Sequence, residues 1–432
     1  MSVSTLPVQA SRQDLHALQL QGLQWTVAHA YSNSLFYRKK FQDAGISPDQ
    51  IRSLHDLRRL PLVTAQDLQD EYPFPLRSVP YEDIVRIHAS SGTTGKRKVL
   101  AYTQKDIDDW ATMFARCYET AGLSRLDRVQ IAVGYGLWTA GVGFQLGCER
   151  FGAMAIPVGP ANTEIHCQML VDMQSTVFCA TASMALLIAE EIEKRGLRDR
   201  IALQKFIFGA ERHSRKMRER IKDITGVTEL YDIPGLTEVY GPGTGLECRA
   251  HQGIHYWADY YILEILNPAT LEPVEPGEIG EMVVTTLRKE AASLIRYRTR
   301  DLTRFIPEPC PCGNPFPRHD HLLGRSDDMF IFRGVNIYPG QIDHVLSQIP
   351  GVGSEYQIHL YRREDGRDLM LLKVERTWED SPDADKRLAE QITAEVRQRI
   401  LVRAHVEVLE YSTLPRTERK SRRVFDNRSM DN

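Results

Sequence analysis

At 432 residues the chain is too long for one small domain, and its 42% hydrophobic and 26% charged residues are typical of a soluble globular protein. A formal net charge of −3 gives no indication of nucleic-acid binding. We find no leader segment and no apolar run long enough to span a membrane, so we expect a cytoplasmic protein. Seven irregularly spaced cysteines argue against a disulfide framework.

The N-terminal part of the chain is predicted to alternate helices with short buried strands. Apolar periodicity predicts a helix over 15–44, and Thr103 can cap a second helix that stops at Gly122. The elements predicted beyond this point are strands at 129–133, 153–156, 176–180 and 206–208, and helices at 184–195 and 214–225. Their alternation predicts a mostly parallel sheet with helices on its faces.

The character of the sequence then changes twice. Longer β-like runs at 260–266 and 281–286 predict a hairpin or meander. Past Arg325, the predicted elements are strands at 356–361, 369–374 and 406–409, an Asp-Gly turn at 364–367 and an amphipathic helix at 385–400. We therefore predict an α/β N-terminal domain with mixed and parallel sheets (residues 1–326) and a small α+β C-terminal domain (residues 327–432).

A loop rich in glycine and hydroxyl residues follows a short β-like run at 84–87. It reads Ser90-Ser91-Gly92-Thr93-Thr94-Gly95-Lys96. Glycines let a backbone turn so that its N–H groups converge on an anion, and the hydroxyls and the lysine add donors and charge. The spacing of an NTPase P-loop is absent. The loop suits a phosphate, and a flexible surface turn is the alternative.

Three further stretches carry candidate functional residues. Residues 209–211 end a predicted strand, where α/β proteins bind nucleotides, although an ordinary turn is the alternative. In the turn-rich stretch 231–238, Glu238 is either a Mg²⁺ ligand or a solvated loop acid. Residues 296–301 contain three arginines and Asp301. Nearby arginines would keep the Asp301 carboxylate ionised, so that it could accept hydrogen bonds from a ribose diol. The alternative is a salt-bridged strand end.

Together these blocks resemble the AMP-forming adenylating enzymes, in the branch of the phenylacetate–CoA ligases. The phosphate loop has that branch's flanks, His88-Ala89 and Ala101-Tyr102-Thr103. The blocks Arg-Tyr-Arg-Thr-Arg-Asp, Gly-Arg-Ser-Asp-Asp-Met and Arg-Gly-Val-Asn-Ile-Tyr-Pro then follow in the family's order, and residues 414–420 close the series. The resemblance spans about residues 36–428, nearly the whole chain.

The resemblance implies roles at the phosphates and the metal. Residues 90–96 would hold the β- and γ-phosphates of ATP, and Thr237 would lie near the α-phosphate. Glu238 would bind Mg²⁺. Lys420 would be the adenylation lysine.

The resemblance also implies roles for residues around the rest of the nucleotide and CoA. Asp301 would hold the ribose, with help from Arg325. Asp327 would be the hinge of the small domain, and Gly334 would lie beside the CoA tunnel. The residues lining the adenine and the substrate would be Gly209, Ala210, Glu211, Asp232 and Ile233.

The segment that resembles the family's aryl pocket departs from the expected pattern. Its pocket residues would be Tyr135, Gly136, Trp138 and Ala140, where we expect phenylalanine at 138 and glycine at 140. Arg212-His213 replaces an expected Pro-Trp, and Arg97-Lys98 an expected Pro-Thr. The departures in the pocket segment and at 212–213 leave the identity of the acid open, and we expect none of the three to touch the adenylation residues.

A loose cluster of metal-ligand residue types is independent of this machinery. Thiolate and imidazole are preferred zinc ligands, and Cys₃His is a known structural set. Some members of the ligase branch share these cysteines and the Gly-x-His frame at 253–255, which favours a structural Zn²⁺. The ligands would be Cys248, His255, Cys310 and Cys312. Competing imidazoles are those of His251 and, less favoured, His319 and His321, and reduced surface thiols are the alternative.

The reaction that the resemblance implies has two halves. ATP and an aromatic, phenylacetate-like acid give an acyl-adenylate and pyrophosphate, and the CoA thiol then gives the thioester and AMP. The alternative is an adenylyltransferase or an enzyme that loads a carrier protein on the same scaffold. The implied cofactors are ATP, Mg²⁺ and CoA. Homodimers are also implied, because family members are often dimers.

Overall fold

The computed structural model describes residues 6, 12–90, 97–211, 213, 215–363, 367–377, 382–415 and 423–428. These residues form two compact units: one from the ranges 1–180, 201–210 and 229–322, the other from 181–200, 211–228 and 323–432. The single boundary at residue 327 stays a prediction. Within the described ranges, no helix has both the length and the apolarity needed to cross a membrane.

Most helices form where the apolar periodicity predicts them. The helices of the described residues are α1 (Arg12–Asn33), α2 (Leu35–Asp43), α3 (Asp67–Asp70), α4 (Gln104–Thr120), α5 (Ala140–Phe151), α6 (Thr163–Asp172), α7 (Ala182–Lys194), α8 (Arg215–Thr225), α9 (Pro339–Ser347) and α10 (Asp385–Ile400). The predicted helix over 15–44 is two helices separated at Ser34. The Thr103 side chain caps α4 as predicted, because it accepts a hydrogen bond from the backbone N–H of Asp106.

Most strands of both units are short, and the longest are β20 and β21 of the second unit. They are β1 (Arg86–Ala89), β2 (Val99–Tyr102), β3 (Arg128–Ile131), β4 (Met154–Ile156), β5 (Val177–Thr181), β6 (Lys205–Gly209), β7 (Glu229–Ile233), β8 (Gly235–Leu236), β9 (Gly241–Pro242), β10 (Gly245–Glu247), β11 (Ile254–Tyr256), β12 (Tyr261–Leu266), β13 (Gly280–Thr286), β14 (Tyr297–Thr303), β15 (Phe305–Ile306), β16 (Arg318–His319), β17 (Gly324–Arg325), β18 (Phe330–Phe332), β19 (Val335–Ile337), β20 (Val352–Arg362), β21 (Asp368–Arg376), β22 (His405–Leu409) and β23 (Val424–Asp426).

The predicted parallel sheet is confirmed in the first unit. Its strand order is β4-β3-β5-β6-β7, and β3 runs parallel to β4 and β5, as β6 does to β7. The turn-rich stretch predicted at 231–238 is wrong at its start, because residues 229–233 are strand β7. Leu230 and Tyr231 are fully buried in this strand. The free energy gained by burying these two side chains favours the strand over the turn that the later residues of the stretch indicate.

Antiparallel strands of the first unit form two larger sheets and the two-stranded pairs β1-β2 and β8-β9. Strands β12, β13 and β14 form the predicted meander, and a four-stranded sheet has the order β10-β11-β16-β15. Helices α4 and α5 pack closely because glycine lies at their contact: a Cβ on Gly143 would lie 2.5 Å from the Trp110 ring. The core of this unit extends from these helices to the meander.

The second unit has its own core around the sheet β22-β21-β20-β23. Strands β20 and β21 form an antiparallel hairpin in which Arg362 pairs with Asp368, whereas β22 and β23 add in parallel. Of the predicted Asp-Gly turn at 364–367, residues 364–366 lie outside the described residues. Helix α10 buries Ile392 and Val396 in this core, as its amphipathic pattern predicts.

Candidate active site

The two strands that flank the candidate phosphate loop pair as an antiparallel hairpin. Strands β1 and β2 pair from Arg86–Tyr102 up to Ala89–Val99, and the Ser90 N–H donates to the Lys98 carbonyl across 3.0 Å. The hairpin is therefore closed at the base of the loop. The rest of the loop, Ser91, Gly92, Thr93, Thr94, Gly95 and Lys96, lies outside the described residues.

The base of this hairpin is tied to the candidate acid pocket. The Ala89 N–H donates to the Leu137 carbonyl at 2.8 Å, and the His88 ring reaches the same oxygen through Nδ1 at 3.3 Å. Burial lowers the pKa of His88 to about 4, so its ring is neutral and Nδ1–H is the donor. One carbonyl thus links the start of the phosphate loop to residues 135–138.

The structure brings the four predicted pocket residues together at the start of α5. The Tyr135 ring lies over Gly141, where a Cβ would come within 2.6 Å of it. Trp138 is half-buried against the same core, and Ala140 is the buried first residue of α5. Gly136 adopts a φ of 92°, which lets the chain turn between the two rings. Two aromatic side chains therefore flank one sharp turn.

Thr237 and Glu238 lie in the turn of the hairpin formed by β8 and β9. Glu238 is buried, its carboxylate pairs with the Lys98 ammonium, and it accepts a hydrogen bond from the Tyr297 hydroxyl at 3.1 Å. Burial acts to raise the pKa of Glu238, but Lys98 and the hydrogen bonds outweigh it, and the net pKa is lowered. Glu238 is therefore an ionised, cation-binding carboxylate.

The Lys98 contact corrects one expectation. We expected the replacement at 97–98 to leave the adenylation residues untouched, whereas the Lys98 side chain binds Glu238 directly. The reason is the hairpin, since β2 returns from the phosphate loop beside the turn that carries Glu238. Sequence spacing gave no signal of this pairing.

A second lysine beneath this turn was missed entirely. Lys289 is fully buried, and its ammonium donates to the backbone carbonyls of Glu238 at 3.2 Å and Val239 at 2.9 Å. The same ammonium lies 4.5 Å from the Tyr102 ring centroid and 4.9 Å from that of Tyr240. Burial lowers the pKa of Lys289 to about 8, and the charges of nearby carboxylates oppose this shift.

The predicted adenine residues of the first unit meet at the ends of β6 and β7. Gly209 pairs with Ile233, and a Cβ on Gly209 would lie 2.1 Å from the Ile233 carbonyl oxygen, so only glycine fits. Ala210 follows in the left-handed conformation with a φ of 69°. Glu211 belongs to the second unit, where its carboxylate accepts from the Ser183 N–H at 2.6 Å.

Asp232, the remaining adenine candidate, is held by two residues that the sequence analysis did not assign to it. The His321 Nδ1 lies 2.8 Å from its carboxylate, and the buried Glu247 accepts its backbone N–H at 2.8 Å. His321 was considered only as a lesser zinc candidate. These contacts fix the direction of the Asp232 side chain.

Asp301 is buried on β14 and lines a cavity with Gly235 and Leu236, but its neighbouring arginines have other partners. Arg296 forms two hydrogen bonds with Glu264, and Arg298 forms two with Glu281. The expectation that the arginines gather around Asp301 was wrong for these two. Alternate residues of a strand point to opposite faces, so adjacent charges in sequence need not meet.

The candidate hinge and CoA residues lie in the second unit. Arg325 forms a bidentate pair with Asp327, with distances of 2.8 and 2.9 Å. Gly334 and Arg333 both have positive φ and form the two-residue turn between β18 and β19, the geometry of a type I′ hairpin. Lys420 lies outside the described residues.

The four predicted metal ligands converge beside the sheet β10-β11-β16-β15. Their ligand atoms, from Cys248, His255, Cys310 and Cys312, all lie within 4.8 Å of one another. Cys248 Sγ is 3.5 Å from Cys310 Sγ, and Cys312 Sγ is 3.3 Å from His255 Nε2. Ligands of a tetrahedral zinc are separated by about 3.5–3.8 Å, so this arrangement fits the ion.

The contacts of His255 orient its ring as the imidazole ligand of this cluster. Its Nδ1 donates to the Phe316 carbonyl at 2.7 Å, which leaves Nε2 with its lone pair toward the thiols. Burial lowers the pKa of His255 to about 4, so the ring is neutral. The competing histidines face other partners, because His251 contacts Glu247 and His319 contacts the Asp320 carbonyl.

Comparisons with known proteins identify the family of this chain. The AMP-binding enzyme model matches residues 16–287, and the AMP-binding enzyme C-terminal domain model matches residues 334–428. The chain is 43% identical to the phenylacetate-coenzyme A ligase of Escherichia coli (strain K12), over 98% of this chain and 97% of that one. It is 39% identical to the phenylacetate-coenzyme A ligase of Thermus thermophilus, with 98% of each covered.

A solved structure extends the similarity to the whole fold. The structure of 2-hydroxyisobutyryl-CoA ligase in complex with 2-HIB-AMP superposes with a TM-score of 0.88 at 28% identity, covering 100% of this chain and 94% of that one. The chain therefore belongs to the AMP-binding enzyme family and, within it, to the phenylacetate–coenzyme A ligases.

Proposed function

We propose that this protein activates an aromatic, phenylacetate-like acid with ATP and transfers the acyl group to CoA, releasing pyrophosphate and AMP. The link between the phosphate-loop hairpin and the aromatic turn carries this proposal, because the Leu137 carbonyl accepts hydrogen bonds from both Ala89 and His88. An acid beside Tyr135 and Trp138 would thus lie next to the nucleotide phosphates. Positioning and charge neutralisation can supply most of the rate of such a reaction.

The residue roles that we propose are those implied by the resemblance, and the structure supports two of them. Glu238 would hold Mg²⁺, which bridges and neutralises the ATP phosphates when bound, and it already binds a cationic group here. Thr237 would lie at the α-phosphate, and Asp232 with Ile233 at the adenine. Asp301 would hold the ribose, and its place in the lining of the cavity beside Gly235 and Leu236 supports that role. The roles of Arg325, Asp327, Gly334, Glu211 and Lys420 rest on the resemblance.

We also propose a structural zinc in the Cys₃His cluster. Four ligands close the coordination sphere and leave no open position, so the ion would stabilise the fold and take no part in the reaction. It would join the sheet edge at Cys248 and His255 to the loop between β15 and β16 that carries Cys310 and Cys312. A homodimer and a cytoplasmic location stay predictions.

The identity of the acid is the first test. We expect phenylacetate and related aryl acids to exceed hexanoate in catalytic efficiency, because contact with Tyr135 and Trp138 adds about 0.5–1.5 kcal/mol beyond area burial. CoA-dependent release of AMP from a panel of acids measures this. The panel includes 2-hydroxyisobutyrate, the acid named in the structural relative. Higher efficiency with hexanoate or with that small acid would make the pocket assignment wrong.

Trp138 is predicted to limit the size of the acid. Replacing it with phenylalanine should raise kcat/KM for rings bulkier than phenylacetate by about tenfold, because pockets discriminate size by about 1–3 kcal/mol per methylene. Trp25→Phe, on α1, is the matched control and should leave the ranking of acids unchanged. The same ranking in the Trp138→Phe enzyme and the parent would contradict the prediction.

The acceptor distinguishes the proposal from its alternative. Enzymes that stop at the adenylate or load a carrier protein would exchange ATP with pyrophosphate but would not release AMP in response to CoA. The identity to phenylacetate-coenzyme A ligases over nearly the full length favours CoA as the acyl acceptor over a carrier protein. Absence of CoA-stimulated AMP release, with active pyrophosphate exchange, would favour the alternative.

A further inference from the structure

Lys289 is a buried cation that none of the proposed roles uses. Its side chain is completely inaccessible to water, and each of its hydrogen bonds among the described residues ends on the turn that carries Glu238. An ammonium group removed from water costs several kcal/mol unless other groups replace its solvation. Two backbone carbonyls and two aromatic faces provide that replacement here.

The aromatic partners of Lys289 hold the same turn. Tyr102 donates its hydroxyl to the carbonyl of Thr237 at 3.2 Å and to that of Tyr240 at 2.9 Å, while its ring face meets the ammonium. Tyr240 itself ends the turn. The backbone of residues 237–240 is therefore fixed from one side by a single group of buried contacts.

The backbone that carries Lys289 is anchored in turn. The Asp106 carboxylate accepts the N–H groups of Glu290 at 2.7 Å and Ala291 at 3.0 Å, and the Thr103 hydroxyl donates to the Glu290 side chain at 2.9 Å. Thr103 and Asp106 form the capping box of α4, which directly follows β2. A continuous set of contacts thus runs from the exit strand of the phosphate loop, through Lys289, to the turn at Glu238.

We propose that Lys289 is a positioning residue that holds the Thr237–Glu238 turn in the conformation that binds metal–nucleotide, an inference that rests on the role proposed for Glu238. The ammonium draws the carbonyls of residues 238 and 239 into the core. With the backbone held inward, the Glu238 side chain points to the Lys98 ammonium and the Tyr297 hydroxyl. Without the ammonium, two buried carbonyls lose their donor and the turn relaxes.

The test measures nucleotide binding rather than turnover. Mn²⁺ replaces Mg²⁺, and electron paramagnetic resonance of the full chain gives the dissociation constant of Mn²⁺·ATP. We expect Lys289→Met, which keeps the length and removes the charge and donors, to weaken Mn²⁺·ATP at least about tenfold, the effect of losing one charge-assisted hydrogen bond. Binding of metal-free adenosine should stay within about twofold, because the adenine contacts are elsewhere.

Arg116 provides a matched control for the loss of a buried cation. It is also buried against aromatic rings, and it pairs with Asp259 rather than with the turn. Arg116→Met should therefore lower the thermal stability while leaving Mn²⁺·ATP binding close to that of the parent. Parental affinity in Lys289→Met, or an equal loss of affinity in both variants, would overturn the proposal.

Two further variants distinguish a failure of the role proposed for Glu238 from a failure of the role proposed for Lys289. Glu238→Gln should weaken Mn²⁺·ATP, and an unchanged affinity there would remove the proposed role of Glu238 itself. A loss in Glu238→Gln with none in Lys289→Met would remove only the positioning role. If Lys289→Met does not fold, Tyr102→Phe removes a hydroxyl from the same turn and keeps the ring; it should weaken Mn²⁺·ATP several-fold, and parental affinity would again overturn the proposal.

Discussion

Replacement of Lys420 by alanine is expected to slow acyl-adenylate formation by about 10²–10³-fold, or about 2.7–4 kcal/mol, the usual loss when one well-placed charge is removed from a water-poor site. Lys420 follows Leu414-Pro415-Arg416-Thr417-Glu418-Arg419 in the closing block of the chain. A compact ammonium on a flexible stem can reach one oxygen of the substrate carboxylate and one of the α-phosphate. ATP–pyrophosphate exchange measures this half-reaction.

The effect of Lys420→Ala should be confined to that half-reaction. Thioester formation from a supplied acyl-adenylate is expected to stay within about tenfold of the parent, because the small domain is proposed to rotate about Asp327 before CoA attacks. Arg419→Ala removes a neighbouring cation and should leave both rates close to the parent. Equal losses in both half-reactions would mean that Lys420 is structural, or that the rotation does not occur.

Substitution of Cys312 by serine is expected to abolish the zinc content and to lower the melting temperature. Protein purified without added metal should contain about one zinc per chain, and the variant close to none, because serine replaces a thiolate ligand. Each kcal/mol lost lowers the melting temperature by about 2–4 °C in a domain of a few hundred residues. Elemental analysis and thermal unfolding of the same samples provide the two measurements.

Cys167→Ser is the control for this experiment. Cys167 is buried in α6, outside the metal cluster, so its replacement should cost some stability and leave the zinc content unchanged. Acyl-adenylate formation should persist in Cys312→Ser below its melting temperature, since a closed site is not catalytic. Metal-free parent protein of full stability would refute the structural zinc.

Features encoded by contiguous residues could be predicted from the sequence. The periodicity and cap of α4, the parallel strands β3, β5 and β6, and the meander of β12 and β13 all follow from local patterns, and they are confirmed. The family blocks are equally local, so the family could be recognised from the phosphate loop and the block 296–301. For the cluster that contains Cys248 and Cys310, the sequence indicated which residue types could bind a metal, but not that their ligand atoms lie close together.

The pairing of charges could not be predicted in the same way. Arg296, Arg298 and Asp301 are neighbours in sequence, but Arg296 pairs with Glu264 and Arg298 with Glu281. Lys98 was interpreted as a departure without consequence, and it pairs with Glu238. The strength of an ion pair depends on the distance between the charges and on their burial. The order of the strands determines that distance and that burial.

By itself, the sequence determined which elements form and which chemical groups are available, because periodicity, caps and glycine-rich loops act over a few residues. Only the tertiary structure decided which groups meet. It placed Lys289 beneath Glu238, set His321 against Asp232, and selected His255 over His251 for the thiol cluster. Such choices depend on long-range packing: a buried charge is stable only where the fold supplies partners, and those partners come from distant segments of the chain.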